Sequence, residues 1–157
     1  MAVELDNIDV RLLQELQEDA DRPNVELARL VGLSPAATLN RVRRLKESGV
    51  IRSIAARLDA AAAGFPLQVY VSVALTRHDD AGHRRFEATV KEMPEVIAAD
   101  WVTGEIDAML LVVSRDVAQL QRVLSLLSTK GGASRVVTLL RLEELKPASP
   151  LPLVATR

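Results

Sequence analysis

Asn40, Arg41, Arg43, Arg44 and Lys46 crowd seven residues of the segment VGLSPAATLNRVRRLKESGVI, residues 31–51. Asn and Arg are the side chains that pair bidentately with adenine and guanine edges, and Arg and Lys neutralise phosphates. Ser34, Pro35, Ala36 and Ala37 precede them, small residues that let a helix terminus approach a groove closely. Arg52 and Arg57 follow, so residues 41–57 hold six basic side chains against one acid, Glu47. Residues 1–40 hold eight acids against three arginines. The net charge of −1 therefore hides a dipole, which points to an anionic partner for the basic half. A charge run by itself describes a solvated helix face.

The local sequence says how such a face would be held. Ser34 is a natural N-cap, Pro35 fits the first helical position, and Gly49 ends the segment. At about 100° per residue, Leu39, Val42 and Leu45 form the packing face, with Thr38 at its edge. Opposite lie Ala37, Asn40, Arg44 and Glu47, flanked by Ala36, Arg41, Arg43 and Ser48. Two helices precede it. DNIDVRLLQELQ aligns Ile8, Leu12, Leu13 and Leu16, with Asp6 as cap and Asp9 in the first turn. NVELARLVG packs Leu27, Ala28 and Val31, starts at Pro23 or Asn24 and ends at Gly32. Three helices, the last two joined through VGLSP, describe a helix-turn-helix whose last helix enters a major groove. VIRSIAARLD then suits a short strand or hairpin wing, and AAAAGFP a linker.

The rest of the chain changes period. LQVYVSVAL alternates, with Leu67, Val69, Val71, Val73 and Leu75 on one face. DDAGHRRFEATVKEM sets Phe86, Val90 and Met93 at helical spacing, and Pro94 stops it. VIAADWV and AMLLVV read as strands around the turn TGEID. Asp116 caps a helix with Val117, Leu120, Leu124 and Leu127 inward, KGGA breaks it, and SRVVTLLRLEEL is a last strand. The order is β-α-β-β-α-β, a ferredoxin-like unit with two helices on one face of an antiparallel sheet. KPASPLPLVATR reads as a tail or strap.

Several chemistries are excluded or unsupported. There is no cysteine, so disulfides and thiolate metal sites are excluded. His78 and His83 have no acid–histidine cluster around them, so no metal site is expected. No nucleophile elbow, P-loop or dinucleotide fingerprint occurs, and the carboxylate spacing nominates no catalytic pair. MAVELDNIDV carries no long apolar run, and no segment approaches the roughly 20 apolar residues that span a bilayer. A soluble cytoplasmic protein without cofactor is expected.

The segment LDNIDVRLLQELQEDADRPNVELARLVGLSPAATLNRVRRLKESGVI closely resembles the N-terminal domain of the Lrp/AsnC family of bacterial and archaeal transcription regulators, the feast/famine regulators. PEVIAADWVTGEIDAMLLV is similar to that family's effector-domain core. The resemblance covers nearly the whole chain. It implies double-stranded DNA as partner, a homodimer joined through the sheets that assembles to a tetramer or octamer, and a small amino acid bound between effector domains. Carried onto this sequence, the DNA-binding residues are Ser34, Pro35, Ala36, Ala37, Asn40, Arg41, Arg43, Arg44, Lys46 and Arg52.

The effector residues are Trp101, Thr103, Gly104, Glu105 and Asp107. Glu105 or Asp107 would hold an ammonium, the Gly104 N–H and Thr103 hydroxyl a carboxylate, and Trp101 a pocket wall. The same residues also fit a plain hairpin turn and a core or interface aromatic. Three positions depart from the family pattern: Pro23 where a capping serine is frequent, Ala108 where an aromatic often follows the turn, and Trp101 where a smaller apolar residue is common.

The expected organisation is α+β: a winged helix-turn-helix DNA-binding domain at 1–58, a linker at 59–66, a ferredoxin-like βαββαβ effector-binding and dimerisation domain at 67–146, and a tail at 147–157. The expected function is sequence-specific DNA-binding regulation, not catalysis. An effector-independent nucleoid-type DNA binder and a haem-pathway decarboxylase of similar layout are the alternatives.

Overall fold

The computed structural model describes residues 3–77 and 79–155; His78 lies outside them. The chain forms two compact units. One draws on both ends of the sequence, up to residue 56 and again from residue 146, and the other spans Arg57–Leu145.

The first unit contains α1 (Asn7–Glu18), α2 (Asn24–Val31) and α3 (Pro35–Glu47). Asp6 and Asp9 form a reciprocal capping box that satisfies two donors at the start of α1. Pro23 precedes α2 without a side-chain cap, and Gly32 ends it in the left-handed region at φ 71°. The Asn24 amide instead donates to the Pro35 carbonyl at 2.9 Å, tying the start of α2 to that of α3. Ser34 caps α3 through the Ala37 N–H, and Pro35 follows at the first position. Leu12, Leu27 and Val31 form the buried centre, with Ile8, Leu16 and Leu33 against it.

Two expectations for this unit are corrected. The packing face of α3 is not centred on Leu39, which is 50% exposed; Thr38 and Leu45 are fully buried, with Arg41 and Val42 partly covered beside them. Thr38 enters the core because its hydroxyl donates to the Ser34 carbonyl at 3.0 Å, so burial leaves no orphan donor. The wing expected at 50–59 does not form among the described residues. A strand needs a neighbour for its backbone groups, and this unit contains no other strand among the described residues.

The tail is not a free end. The Leu151 N–H donates to the Gln17 side-chain oxygen at 2.6 Å, and the Gln17 amide donates back to the Leu151 carbonyl at 3.3 Å. Leu151 and Leu153 line a groove with Leu13, Leu16, Ala20 and Ile51.

The second unit has the expected order: β1 (Leu67–Leu75), α4 (Asp80–Lys91), β2 (Val96–Trp101), β3 (Ala108–Ser114), α5 (Val117–Thr129) and β4 (Ala133–Leu140). The strands pair antiparallel in the order β2-β3-β1-β4. Val69, Val71, Val73 and Leu75 alternate into a core with Leu110 and Val112, covered by Phe86 of α4 and Val123 and Leu127 of α5. Val117 is 61% exposed, against expectation; it stands at the first position of α5, and Val123 takes its place in the packing stripe.

Before β1, Asp59 caps a single turn over residues 59–64 through the Ala62 N–H, and the Arg115 guanidinium lies over the Phe65 ring. On the sheet face away from the helices, Tyr70 pairs with Leu139 and Ser72 with Val137. Tyr70, Val137 and Leu139 are all exposed there, an apolar surface left open among the described residues.

Candidate nucleic-acid interface and effector site

The arginines of α3 divide into two sets. Arg41 is 28% exposed and donates to Asp6 at 2.7 Å and Asp9 at 2.9 Å. Arg44 donates to the second oxygen of Asp9. The Asp9 side chain is only 1% exposed, so a buried carboxylate on α1 holds two cations of α3. The Asp9 N–H, and then the Arg41 guanidinium, hold the Asp6 carboxyl below the usual carboxylate range. Two of the cations assigned to DNA thus fasten α3 to α1.

The other set remains available. Ala36, Asn40, Arg43 and Lys46 are exposed on α3, and Arg52 is exposed beyond it. The side chains of Asn40, Arg43, Lys46 and Arg52 have no hydrogen-bond or ion-pair partner among the described residues. Ser34 and Pro35 are exposed, but Ser34 is engaged as a cap and the Pro35 carbonyl by Asn24. Ala37 is half-buried. Arg57 belongs to the second unit, where it pairs with Glu144 at 2.8 Å. The free face of α3 is therefore small at its start, amide-bearing in the middle and cationic toward its end, a pattern suited to base edges and phosphates.

Sequence reasoning missed Asp9 as the partner of Arg41 and Arg44. An acid in the first turn of α1 has a sufficient local explanation in the capping box, and no pattern within α3 points to it.

In the second unit, Thr103, Gly104 and Glu105 are exposed in the loop between β2 and β3, and Gly104 adopts φ 130°. That backbone strains any side chain but glycine. Asp107 turns into the sheet, where its carboxylate accepts the Leu75 N–H at 2.7 Å and its own N–H donates to the Val73 carbonyl. Glu105 is left as the solvent-facing acid of the loop.

Trp101 leans toward α4. Its indole N–H donates to Glu87 at 3.2 Å, and its ring lies 4.9 Å from His83 and 5.5 Å from Phe86. It walls a groove of about 330 Å³ with Phe86, Val90, Lys91 and Ala108, which Thr103, Gly104 and Glu105 do not line. Trp101 and Ala108 are directly paired across β2 and β3. The two departures are neighbours: the large residue stands on one strand and the small one opposite, so the indole occupies space that an aromatic at 108 would need. Their pairing therefore has a packing explanation on the helix side of the sheet.

Comparison with known proteins follows the same division. Residues 5–46 match the AsnC-type helix-turn-helix domain, and residues 68–151 match the Lrp/AsnC ligand binding domain. The chain belongs to the Lrp/AsnC family. A leucine-responsive regulatory protein of Rhizobium meliloti is 40% identical to this Lrp/AsnC regulator, over 93% of this chain and 94% of that one. A transcriptional regulator of Neisseria meningitidis, solved as a complex with L-methionine, superposes with a TM-score of 0.86 at 33% identity, covering 94% and 96% of the two chains. A feast or famine regulatory protein of M. tuberculosis, also complexed with L-methionine, gives a TM-score of 0.82 at 30% identity, covering 91% and 95%.

The molecule is thus an Lrp/AsnC-type transcriptional regulator with an N-terminal helix-turn-helix and a C-terminal α+β domain. Among its described residues no group of three His, Cys, Asp or Glu side chains could hold a metal, and no helix is long and apolar enough to cross a membrane.

Proposed function

We propose that this regulator reads double-stranded DNA in the cytoplasm with the free face of α3, as a homo-oligomer whose DNA affinity is set by a small amino acid. The observation that carries the reading is the split among the α3 cations. Asp9 engages Arg41 and Arg44, while Asn40, Arg43, Lys46 and Arg52 stay exposed and unpaired among the described residues. In this reading Ala36, Ala37 and Asn40 face base edges. Arg43, Lys46 and Arg52 meet phosphates. Ser34 and Pro35 fix the entry of the helix, and Arg41 and Arg44 act mainly by orienting it.

Residues 67–146 are the effector and dimerisation domain, joined to a second copy through the apolar sheet face of Tyr70, Val137 and Leu139. Two dimer-related helices would sit one DNA turn apart and favour a pseudo-palindromic site, and tetramers or octamers would form by further association. The L-methionine complexes of two similar proteins support an amino-acid effector. In this reading Glu105 takes its ammonium, and the Gly104 N–H and Thr103 hydroxyl take its carboxylate; the exposure of all three supports this. No catalytic step, metal or cofactor belongs to this reading. The effector acts by binding two oligomeric or DNA-competent states with different affinity.

Selection of binding sites from random duplexes, repeated with and without a pool of amino acids, tests it. Enrichment of a pseudo-palindrome whose affinity shifts with one amino acid is expected. No enrichment would move the protein to the nucleoid-type class, and enrichment indifferent to all twenty amino acids would remove the effector.

A further inference from the structure

Leu39 is the unexpected occupant of the α3 surface. It is half-exposed in the middle of the helix, while the neighbouring Thr38 is buried. At about 100° per residue it lies beside Arg43 and Ala36, one and nearly one turn away, with Lys46 two turns along. An isolated exposed leucine carries no message on a protein surface. This one stands inside a strip bounded by cations that are unpaired among the described residues, on the helix face that must enter the groove for Asn40 and Arg43 to work. A deep groove approached by that strip offers one apolar group of matching kind, the 5-methyl of thymine, which apolar side chains contact in major-groove readout.

We infer that Leu39 is a specificity-determining residue of this regulator, packing on a thymine methyl within each half-site. The inference rests on the DNA-reading role of α3 and adds to it an apolar element that hydrogen-bonding side chains cannot supply. Asn40 selects by its amide donor and acceptor. Leu39 selects between thymine and cytosine at a position where those groups make no demand, and it loses water-exposed surface only when the methyl is present. The flanking phosphate contacts of Arg43 and Lys46 would hold the helix at the depth this needs.

The test uses the full-length protein and an operator obtained by selection. Each thymine of a half-site is replaced in turn by deoxyuridine, which removes the methyl and nothing else, and affinity is measured for wild type and Leu39→Ala. Alanine keeps the helix favourable, and Leu39 is too exposed to be needed for folding; a melting curve checks this.

The expected result is one thymine per half-site whose demethylation weakens wild-type binding about fourfold, the worth of one buried methyl group. The same replacement should leave Leu39→Ala unchanged, because the variant has already lost the contact. Independent effects of the two changes, or Leu39→Ala binding like wild type, would overturn the Leu39 assignment while leaving DNA reading intact. A change of oligomeric state in Leu39→Ala with unaltered methyl dependence would assign Leu39 to a protein contact instead. Failure to select any operator would overturn both this inference and the reading beneath it.

Discussion

Arg44 donates to Asp9, a carboxylate 35 residues earlier in the chain and almost completely buried. The guanidinium is itself 54% exposed, so one end of the contact is wet and the other dry. Removing a partner from a buried carboxylate is costlier than removing a surface ion pair. Arg44→Ala is expected to lower stability by about 1–3 kcal/mol, with Arg41 still facing Asp9. Arg43→Ala should stay within about 0.5 kcal/mol of wild type, yet reduce the salt dependence of DNA binding by about one ion. Denaturant titration and binding at several salt concentrations separate the two arginines. Equal melting of both variants would contradict the anchoring role.

Trp101 and Ala108 make a second prediction. Trp101→Val empties space beside Phe86, and Ala108→Phe overfills it. Each single change should destabilise the second unit by about 1–3 kcal/mol. Combined, they should cost less than their sum by about 1 kcal/mol or more, because the new ring occupies the volume the indole left. Strict additivity in a double-mutant cycle would show that the pair do not share space.

The tail provides a third. A chain ending at Pro147 loses the two hydrogen bonds between Gln17 and Leu151 and the partial cover of Leu153 over Leu13 and Leu16. Leu151 is itself 68% exposed, so the loss should be modest, about 1–2 kcal/mol. Hydrogen exchange should quicken along α1 and stay unchanged along β1–β4. Unchanged protection in α1 would make the tail a passive end.

Acid sensitivity gives a fourth. The folded state holds Asp6 below its usual value of 3.8, mainly through the Asp9 N–H and then Arg41. Because the folded value is the lower one, ionised Asp6 contributes stability that is complete above the unfolded value and disappears as pH falls through the folded one. Asp6→Asn keeps a competent N-cap but not the charge. Wild type should therefore be the more stable at pH 7, and the two urea midpoints should converge below about pH 4. A constant gap across that range would mean that the carboxylate charge is not what stabilises the cap.

Much of this molecule is written locally. The alternation of Val69, Val71 and Val73, the caps at Asp6, Ser34 and Asp116, and the stop at Pro94 are decided by neighbours in the chain, and the β-α-β-β-α-β order follows from them. The face of α3 was only partly legible. A helical wheel ranks Leu39 above Thr38 by apolarity, whereas the fold ranks Thr38 first, since its hydroxyl bonds to a carbonyl one turn back. The destination of Arg41 and Arg44 depends on a carboxylate on another helix, and the meaning of Trp101 on the strand register that sets it opposite Ala108. The absence of a wing at 50–59 among the described residues is not local information: β-branched residues signal extended backbone without saying whether a neighbour exists to pair with it.

The bond between Gln17 and Leu151 also has a temporal side. The two residues are separated by 134 positions. A ribosome adds about 5–20 residues each second, so roughly 7–27 s pass between the synthesis of one partner and the other. Throughout that interval the nascent helix-turn-helix has an uncovered seam along Leu13 and Leu16. The seam closes only once Leu151 has been made and has reached Gln17. The cover of α1 is thereby set by residues made long after the helix itself.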